Sequence, residues 1–429
     1  MASDADASKL DPTAPKRADL DPTAPKRAGL RLAPVEEFSR LTGLDTRLLA
    51  MLLALVVIWV VLDVWTGGLF LTPRNLFNLA VQGSAVGIMA TGMVFVIVAR
   101  HIDLSVGSVL GFVGMFMAFL QVEVFTLGAG WNWPLSIACG LALGALVGLW
   151  QGLWVAYGGV PAFVVTLGGL LIFRGAAFEI TDGRTVAPLD PVYQLLGGGV
   201  DGSIGATASW ALGLVAVAAI AFFAIKARSK RLRYGFPVKP LWAEVMMIVA
   251  WSALILGFVT VMNAYEKPRS DIARGIPVPV LILLAVVVVM TFVSRFTRFG
   301  RYVFAMGGNP EASALSGINV KRTTVMIFVV MGVLSSVAAV VTSARLNAGT
   351  NSMGTLAELS VIAAAVIGGT SLAGGLGTVP GAILGAVVMQ SLDNGMVLIG
   401  VSSSMRSIVI GLVLIAAVWF DVVYNRHRR

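Results

Sequence analysis

The residue types that carry out chemistry in enzymes are scarce in this sequence. The chain has only two histidines, His101 and His427, which excludes a metal site of the HExxH kind and disfavours a catalytic triad built on histidine. No GxxxxGK[ST] string occurs, so the chain has no P-loop to hold nucleotide phosphates. The single cysteine, Cys139, excludes an intrachain disulfide. We therefore expect a protein that is not an enzyme and that binds no metal and no cofactor of its own.

A polar stretch at residues 307–320 carries the local signals of a short helix. Asn309 can cap its N-terminus through the side-chain oxygen, and Pro310 then falls at the first helical position, where a missing N–H has no cost. Glu311 lies in the first turn, where the positive end of the helix dipole favours a negative charge. Gly317 can end the helix in the left-handed conformation. Two interpretations follow: a well-capped connector, or a helix that inserts into a partner protein.

Apolar residues dominate the composition and determine the class of protein. Hydrophobic residues make up 57% of the chain and charged residues 12%, and the mean hydropathy is +0.89. These values predict a polytopic membrane protein. A net charge of +9 would suggest nucleic-acid binding in a soluble chain. In a chain this apolar it is better explained by basic cytoplasmic loops that hold the topology, and we expect no nucleic-acid partner.

Long apolar segments recur after the first 47 residues and predict an all-α fold. A helix rises about 1.5 Å per residue, so a run of about 18 residues just crosses a hydrocarbon core of about 30 Å. By this measure we predict ten to twelve transmembrane helices. The clear spans lie at about 48–65, 76–99, 104–122, 133–156, 160–180, 208–225, 241–262, 277–294, 323–343 and 404–423.

A glycine-rich segment interrupts this pattern near the C-terminus. The apolar residues 359–367 are too few to cross a bilayer alone, and five glycines follow within ten residues. Irregular backbone at membrane depth has to be buried in protein or line a cavity, so 359–399 is predicted to be a broken helix plus a full span, or a re-entrant pair. Gly107–Gly111 is similar to Gly377–Gly381, which suggests an internal repeat whose broken helices mark the transport path.

Basic residues indicate how the spans are oriented. Between Lys226 and Lys239 the chain carries six Lys and Arg residues and no acidic residue, which is its strongest positive-inside signal. With this loop in the cytoplasm, an even number of crossings also places both termini there. The basic residues 426–429 would then form a short cytoplasmic tail.

The N-terminal residues 1–47 are expected to form no packed structure. Leu10–Ala18 recurs as Leu20–Ala28, and each copy has two prolines and charges of both signs. Such composition disfavours a core and predicts a disordered, basic, proline-rich cytoplasmic tail, with a docking peptide as the alternative. The transmembrane domain would then occupy residues 48–425.

Several strings resemble motifs of one transporter family. Residues 307–320 resemble the cytoplasmic coupling loop of the permease subunits of bacterial ABC sugar importers, the ribose/xylose/galactose permease family. The sequence departs from the family pattern at Ser360, where the family has an acid. Leu392–Met396 and an extra region at about 208–262 are similar to the xylose-type members of the family. The other matching strings are Ile102–Ser108, Pro161–Gly168, Phe173–Gly175 and Glu358–Gly375.

This resemblance implies a permease subunit that imports a monosaccharide from the periplasm across the bacterial inner membrane. Among the monosaccharides it favours D-xylose. It also implies three partners: a second copy of the chain, a cytoplasmic ATPase subunit and a periplasmic sugar-binding protein. The ATPase would dock on the coupling loop, about 295–322, through Gly308, Asn309, Pro310, Glu311, Ala312, Ser313, Leu315, Ser316 and Gly317. Candidates for the sugar path are Asn78, Gln82, Asp103, Ser105, Thr166, Asn347, Glu358, Thr370, Ser371 and Asn394.

Each of these assignments has an alternative. Asp103 or Ser105 could instead cap the third span close to Arg100, and Thr166 could serve helix packing. The sugar could be ribose, galactose or another pentose or hexose. The rival class is a secondary transporter driven by an ion gradient, which normally needs ionisable groups deep in the bundle. The few candidates for that role lie near predicted span ends: Asp63, Asp103, Glu179 and Asp393.

Overall fold

The computed structural model describes residues 46–125 and 127–426. The predicted disordered tail at 1–47 and the basic tail at 426–429 therefore lie almost entirely outside the described residues. Within those ranges the chain forms α-helices and one π-helical turn, with isolated β-bridges and no β-strand. The predicted all-α fold class is confirmed.

Fifteen α-helices follow one another in the described part of the chain, and a π-helical turn, Leu120–Val124, continues the third. Their bounds are α1 Thr46–Trp65, α2 Pro73–Val98, α3 Val106–Phe119, α4 Asn132–Ala156, α5 Ala162–Glu179, α6 Pro191–Leu195, α7 Gly205–Arg233, α8 Leu241–Asn263, α9 Val278–Phe296, α10 Arg298–Gly308, α11 Pro310–Leu315, α12 Val320–Leu346, α13 Ala357–Ile367, α14 Val379–Leu398 and α15 Ser403–Arg426.

Hydropathy predicted the membrane-crossing helices well. In the residues that the structure covers, nine helices are long and apolar enough to span a membrane: α2, α3 with its π-helical turn, α4, α5, α7, α8, α9, α12 and α14. Three further apolar helices are shorter, at Leu49–Trp65, Ala357–Ile367 and Ser403–Trp419. The nine long helices establish a polytopic helical membrane protein, and the three shorter ones account for the upper end of the predicted range.

Two mostly buried helices, α2 and α12, form the centre of the bundle. The closest packing is between α4 and α12, where Gly144, Gly148 and Gly152 follow each other at intervals of four residues on α4. A Cβ at Gly144 would overlap the carbonyl oxygen of Gly332, and one at Gly152 would lie 2.8 Å from the Cα of Val325. Small residues at this spacing let two helix backbones approach closely, which fixes α4 against the central pair.

The ends of the helices define two sides of the bundle. We call the side on which α10 and α11 lie the coupling side, and the opposite side the far side. α7 starts on the far side, where Ile204 N–H bonds the Ile276 carbonyl beside the start of α9, and so ends on the coupling side. Its last turn carries Lys230, Arg231 and Arg233 there. The α7–α8 pair is little buried and lies at the edge of the bundle.

After α12 the chain turns back into the protein instead of leaving it. Asn347 ends α12 in the left-handed conformation, with φ of 52°, and the following segment brings Gly354 against the backbone of Gly107 at the start of α3. From Leu356, α13 runs only 11 residues, about half a bilayer at 1.5 Å per residue, and α14 then returns toward the far side. The structure thus divides 359–399 into a short and a full-length helix.

One helix of the coupling loop was not predicted. Residues 298–308 form α10, a helix with the buried side chains Val303 and Met306 on one face and the exposed Arg301 and Tyr302 on the other. Three arginines within seven residues made this stretch look like a basic connector. The apolar spacing of 303 and 306 was the signal for an amphipathic helix lying against the bundle.

Candidate functional site

The coupling helix α11 forms with the predicted caps. The Asn309 side-chain oxygen accepts a hydrogen bond from the Ala312 N–H at 3.0 Å, and Pro310 occupies the first helical position. Gly317 follows with φ of 83°, the left-handed conformation that ends the helix. Ser313, the buried member of the helix, donates from its hydroxyl to the Asn309 carbonyl at 2.8 Å. Local sequence signals alone therefore account for this element.

The outer surface of α11 is apolar at its centre. Leu315 is 91% exposed, and Ala312, three residues earlier on the same face, is exposed as well. Glu311 and Ser316 flank this face and are also exposed. A leucine this exposed contributes little to packing within the described part of the chain.

An arginine at the end of α2 ties the coupling helices to the bundle. Arg100 donates from Nε to the Gly307 carbonyl and from Nη2 to the Gly308 carbonyl, both at 2.7 Å. Beside it, the N–H of Gly375 in the glycine-rich loop donates to the Val98 carbonyl at 2.9 Å. We call this meeting of α2, α10 and the loop 368–377 the coupling junction. These contacts join α10 and the loop between α13 and α14 to the end of α2.

The polar residues before α3 bond to one another. The Asp103 carboxylate accepts from the Ser105 N–H at 2.8 Å and from its hydroxyl at 2.7 Å. Gln151 of α4 donates to the Ser105 hydroxyl at 2.7 Å, and the Thr166 hydroxyl of α5 lies 3.3 Å from the Ile102 carbonyl. Ser105 is the N-cap residue of α3 by position but makes no side-chain cap bond. The Asp103 carboxylate therefore binds the residue two positions later in the chain. Arg100 donates to the carbonyls at the coupling junction instead.

Two other motifs hold the inward-folded segment in place. Arg174 of α5 donates to the carbonyls of Asn351 at 3.0 Å and Met353 at 2.8 Å. Glu358, buried at the start of α13, lies so close to Gly107 that a Cβ there would overlap its carboxylate. The strings 102–108, 161–168 and 173–175 and the start of the string 358–375 therefore meet around the start of α3. The string Leu392–Met396 lies apart from them, on α14.

We expect Asp103→Ala to destabilise the protein by about 2 kcal/mol, because it leaves two donors of Ser105 without the acceptor that turns the chain into α3. The measurement is thermal unfolding of the purified protein in detergent. Asp103→Asn is the matched variant, since it keeps an acceptor oxygen, and it should retain most of the stability. Equal unfolding temperatures for wild type and Asp103→Ala would contradict this role.

A line of polar residues connects α2 with α14. Asn75 donates to the Asn394 side-chain oxygen at 2.8 Å, and the Gln390 amide lies 3.5 Å from the Gln82 oxygen. The half-buried Asn78 lies one turn from Asn75 on α2. Asn75 and Gln390 were missed. Spacings of three and seven residues to Asn78 and Gln82 on α2, and of four residues to Asn394 on α14, would have grouped them with the predicted residues.

The other predicted path residues lie elsewhere. Asn347 is on the far side, where its side-chain oxygen accepts from the Leu189 N–H at 2.8 Å. Thr370 and Ser371 are buried in the loop 368–377 at the coupling junction. The ten candidates thus fall into four places: the start of α3 with Glu358, the α2–α14 line, the far-side end of α12, and the coupling junction.

The described residues contain no group of three His, Cys, Asp or Glu side chains that could hold a metal ion. His101 packs beside Phe328 with ring centroids 5.9 Å apart, and burial lowers the pKa of its imidazole below the ordinary value. Cys139 is a free, half-buried thiol. An apolar cavity of about 460 Å³ lies between α1, α2, α8, α9 and α14, and its lining offers a neutral polyol little to hydrogen-bond.

Comparison with known sequences adds a family and named relatives. A family profile described as the permease component of the branched-chain amino acid transport system matches residues 75–418. The chain is 40% identical to the xylose transport system permease protein of Escherichia coli K12 over 91% of this chain and 95% of that protein. Its identity to the Haemophilus influenzae xylose permease is 41%, over 89% and 98%. The ribose import permease of E. coli K12 is 33% identical over 86% and 92%. No solved structure matches the chain significantly.

Proposed function

The chain belongs to the family of transport-system permease components that matches residues 75–418, and we propose that it imports D-xylose into the bacterial cytoplasm. It is the transmembrane subunit of an ABC importer for a monosaccharide, not itself an ATPase. The observation that carries the choice of xylose is the identity of 40–41% to xylose permeases across some nine-tenths of the chain, against 31–33% to ribose permeases. The peripheral α7–α8 pair corresponds to the region that is typical of xylose-type members.

Membership of the family implies an ATPase and a sugar-binding protein as partners. We propose that the ATPase docks on α11, because this helix presents Leu315 and Ala312 to the solvent on the coupling side. The basic end of α7 lies on the same side, which supports a cytoplasmic coupling side and cytoplasmic termini. Two copies of the chain would form the complete pore, with the binding protein delivering sugar on the far side.

The function is tested by uptake of labelled xylose into cells with and without the gene, with ribose, galactose and arabinose as competitors. We expect loss of xylose uptake in the deletion, competition by unlabelled xylose, and collapse of uptake when ATP is depleted. Loss of another sugar's uptake instead would replace xylose by that sugar. Uptake that survives ATP depletion and stops with an ionophore would contradict the ATP-driven mechanism.

We expect Glu311→Lys to abolish uptake without loss of protein from the membrane. Glu311 is exposed in the first turn of α11 and makes no contact that the fold needs, whereas reversing its charge places a cation beside the surface that the ATPase covers. The measurement is xylose uptake normalised to the amount of permease in the membrane. Normal uptake by this variant would remove α11 from the ATPase contact.

A further inference from the structure

A polar recess of about 340 Å³ opens between α13, α14 and α15. It is separate from the apolar cavity, although Gln390 contributes to both linings. The recess reaches Val86, about half-way along α2, so it extends to the middle of the bundle. The polar side chains in its wall are those of Thr355, Ser360, Gln390, Asp393, Ser403, Arg406 and Ser407.

An ion pair forms the centre of this wall. Arg406 Nη1 donates to Asp393 Oδ1 at 3.0 Å, and the two side chains keep 27% and 34% of their surface exposed. The Nε–H of Arg406 is buried without a hydrogen-bond partner in the described part of the chain. The pair therefore keeps both an unused donor and an unused acceptor, since a carboxylate has a second oxygen with free lone pairs.

The recess lies where the backbone of the bundle is broken. Its wall includes the start of α13, where Leu356 has φ of 60°, an unusual conformation for leucine. Such conformations cost about 1–3 kcal/mol and concentrate at binding sites and switch regions. Half-helix ends near the bilayer midplane are also the places where transporters of other folds bind their substrates.

Lipid is an unsuitable occupant of this recess. Charged side chains within membrane-spanning segments are rare, and they face water, a partner group or a polar ligand instead of lipid. Asp393 and Arg406 lie toward the far-side ends of α14 and α15, inside these apolar helices. A volume of about 340 Å³ lies within the range of about 300–1,000 Å³ that is typical of small-molecule sites. A carboxylate that accepts and a guanidinium that donates suit the adjacent hydroxyls of a neutral sugar.

We propose that this recess is a binding site for the transported monosaccharide within the membrane. Asp393 and Arg406 bind neighbouring hydroxyls, and Gln390 and Ser360 hydrogen-bond the rest of the ring. Because Gln390 lies beside Gln82, the site continues into the α2–α14 line of polar residues. The proposal rests on the function proposed above, and it adds Gln390 of α14 and Arg406 of α15, which neither the motif strings nor the coupling loop contain.

Protection of a cysteine by sugar tests the site directly. Cys139→Ser removes the only native thiol, and Ser360→Cys then places one in the recess. The reconstituted complex of permease, ATPase and binding protein is treated with a charged methanethiosulfonate reagent, with and without xylose. We expect xylose to slow the labelling at least about tenfold, while labelling at Asp271→Cys, in the exposed far-side loop between α8 and α9, stays unchanged. Unchanged labelling at 360, or disulfide-linked dimers through this cysteine, would assign the recess to something other than sugar.

Transport kinetics provide the second readout. We expect Asp393→Asn to raise the KM for xylose about tenfold, the equivalent of about 1.4 kcal/mol of lost binding, with little change in binding of the ATPase. Glu244→Gln is the matched control, since Glu244 pairs with Arg228 at 2.7 Å on the coupling side, away from the recess. If Asp393→Asn has the same KM for xylose as the wild type, the proposed site is wrong. Uptake of xylose by the wild type would still support the proposed function. Absence of wild-type uptake for all four sugars overturns the function itself.

Discussion

We expect the replacement of Leu315 by aspartate to abolish ATP-driven sugar uptake and to leave the chain folded in the membrane. Leu315 is 91% exposed, so its side chain stabilises nothing within this chain. If the ATPase docks on α11 as proposed, this side chain lies at the apolar centre of the contact surface. Interface residues of that kind cost about 2 kcal/mol or more when lost, and a charge in their place adds an unpaired buried group.

The measurement compares uptake with retention of the ATPase on the purified permease. We expect at least about a 30-fold weaker association for Leu315→Asp, which corresponds to about 2 kcal/mol. Phe236→Ala is the control, because Phe236 is also an exposed apolar residue of a coupling-side loop but lies between α7 and α8. Full association of Leu315→Asp with the ATPase would show that the docking surface lies elsewhere.

The coupling helix could be predicted because all of its determinants are local. Asn309, Pro310 and Gly317 each act on backbone within a few residues, so their identity specifies the caps without knowledge of the fold. The spans could be predicted for a similar reason, since hydropathy over about 20 residues is a property of the sequence alone. The amphipathic α10 beside them was missed, because its two arginines, together with Arg295 just before it, outweighed its two buried apolar residues.

The side-chain partners could not be predicted in the same way. Asp103, Thr166, Arg174 and Glu358 belong to strings that are far apart in the chain, and only the packing of α3, α5 and α13 brings them together. An isolated acid in an apolar chain is equally compatible with a cap, a gate and a ligand. The Asp393–Arg406 pair was missed for this reason, although its two residues are only 13 positions apart in the chain.

The structure connects the predicted docking helix with the polar recess through continuous contacts. α11 follows α10, whose C-terminal carbonyls are held by Arg100, and the loop 368–377 touches the same junction. That loop joins α13 to α14, and both helices line the recess. If the ATPase docks on α11 as proposed, these contacts provide a route from the ATPase to the two helices that line the recess.

This connection makes Gly307→Ala a severe substitution. A Cβ at Gly307 would overlap the Val98 carbonyl oxygen and lie 2.8 Å from the N–H of Gly375, so α10 has to move away from the coupling junction. Overpacking of this kind costs about 1–3 kcal/mol. We expect at least a tenfold loss of uptake, since about 1.4 kcal/mol corresponds to a factor of ten, and ATP hydrolysis that no longer depends on sugar.

The neighbouring glycine separates a local effect on the helix from an effect on the junction. The Cβ of Gly308→Ala would point into open space. We expect this variant to leave the free energy of unfolding unchanged or to raise it by about 0.5–1 kcal/mol, because alanine has the higher helix propensity. Gly257→Ala in α8, also in open space, is the control for uptake itself. If Gly307→Ala transports sugar as well as Gly257→Ala does, α10 can leave α2 without consequence, and the coupling route must run through α12 instead.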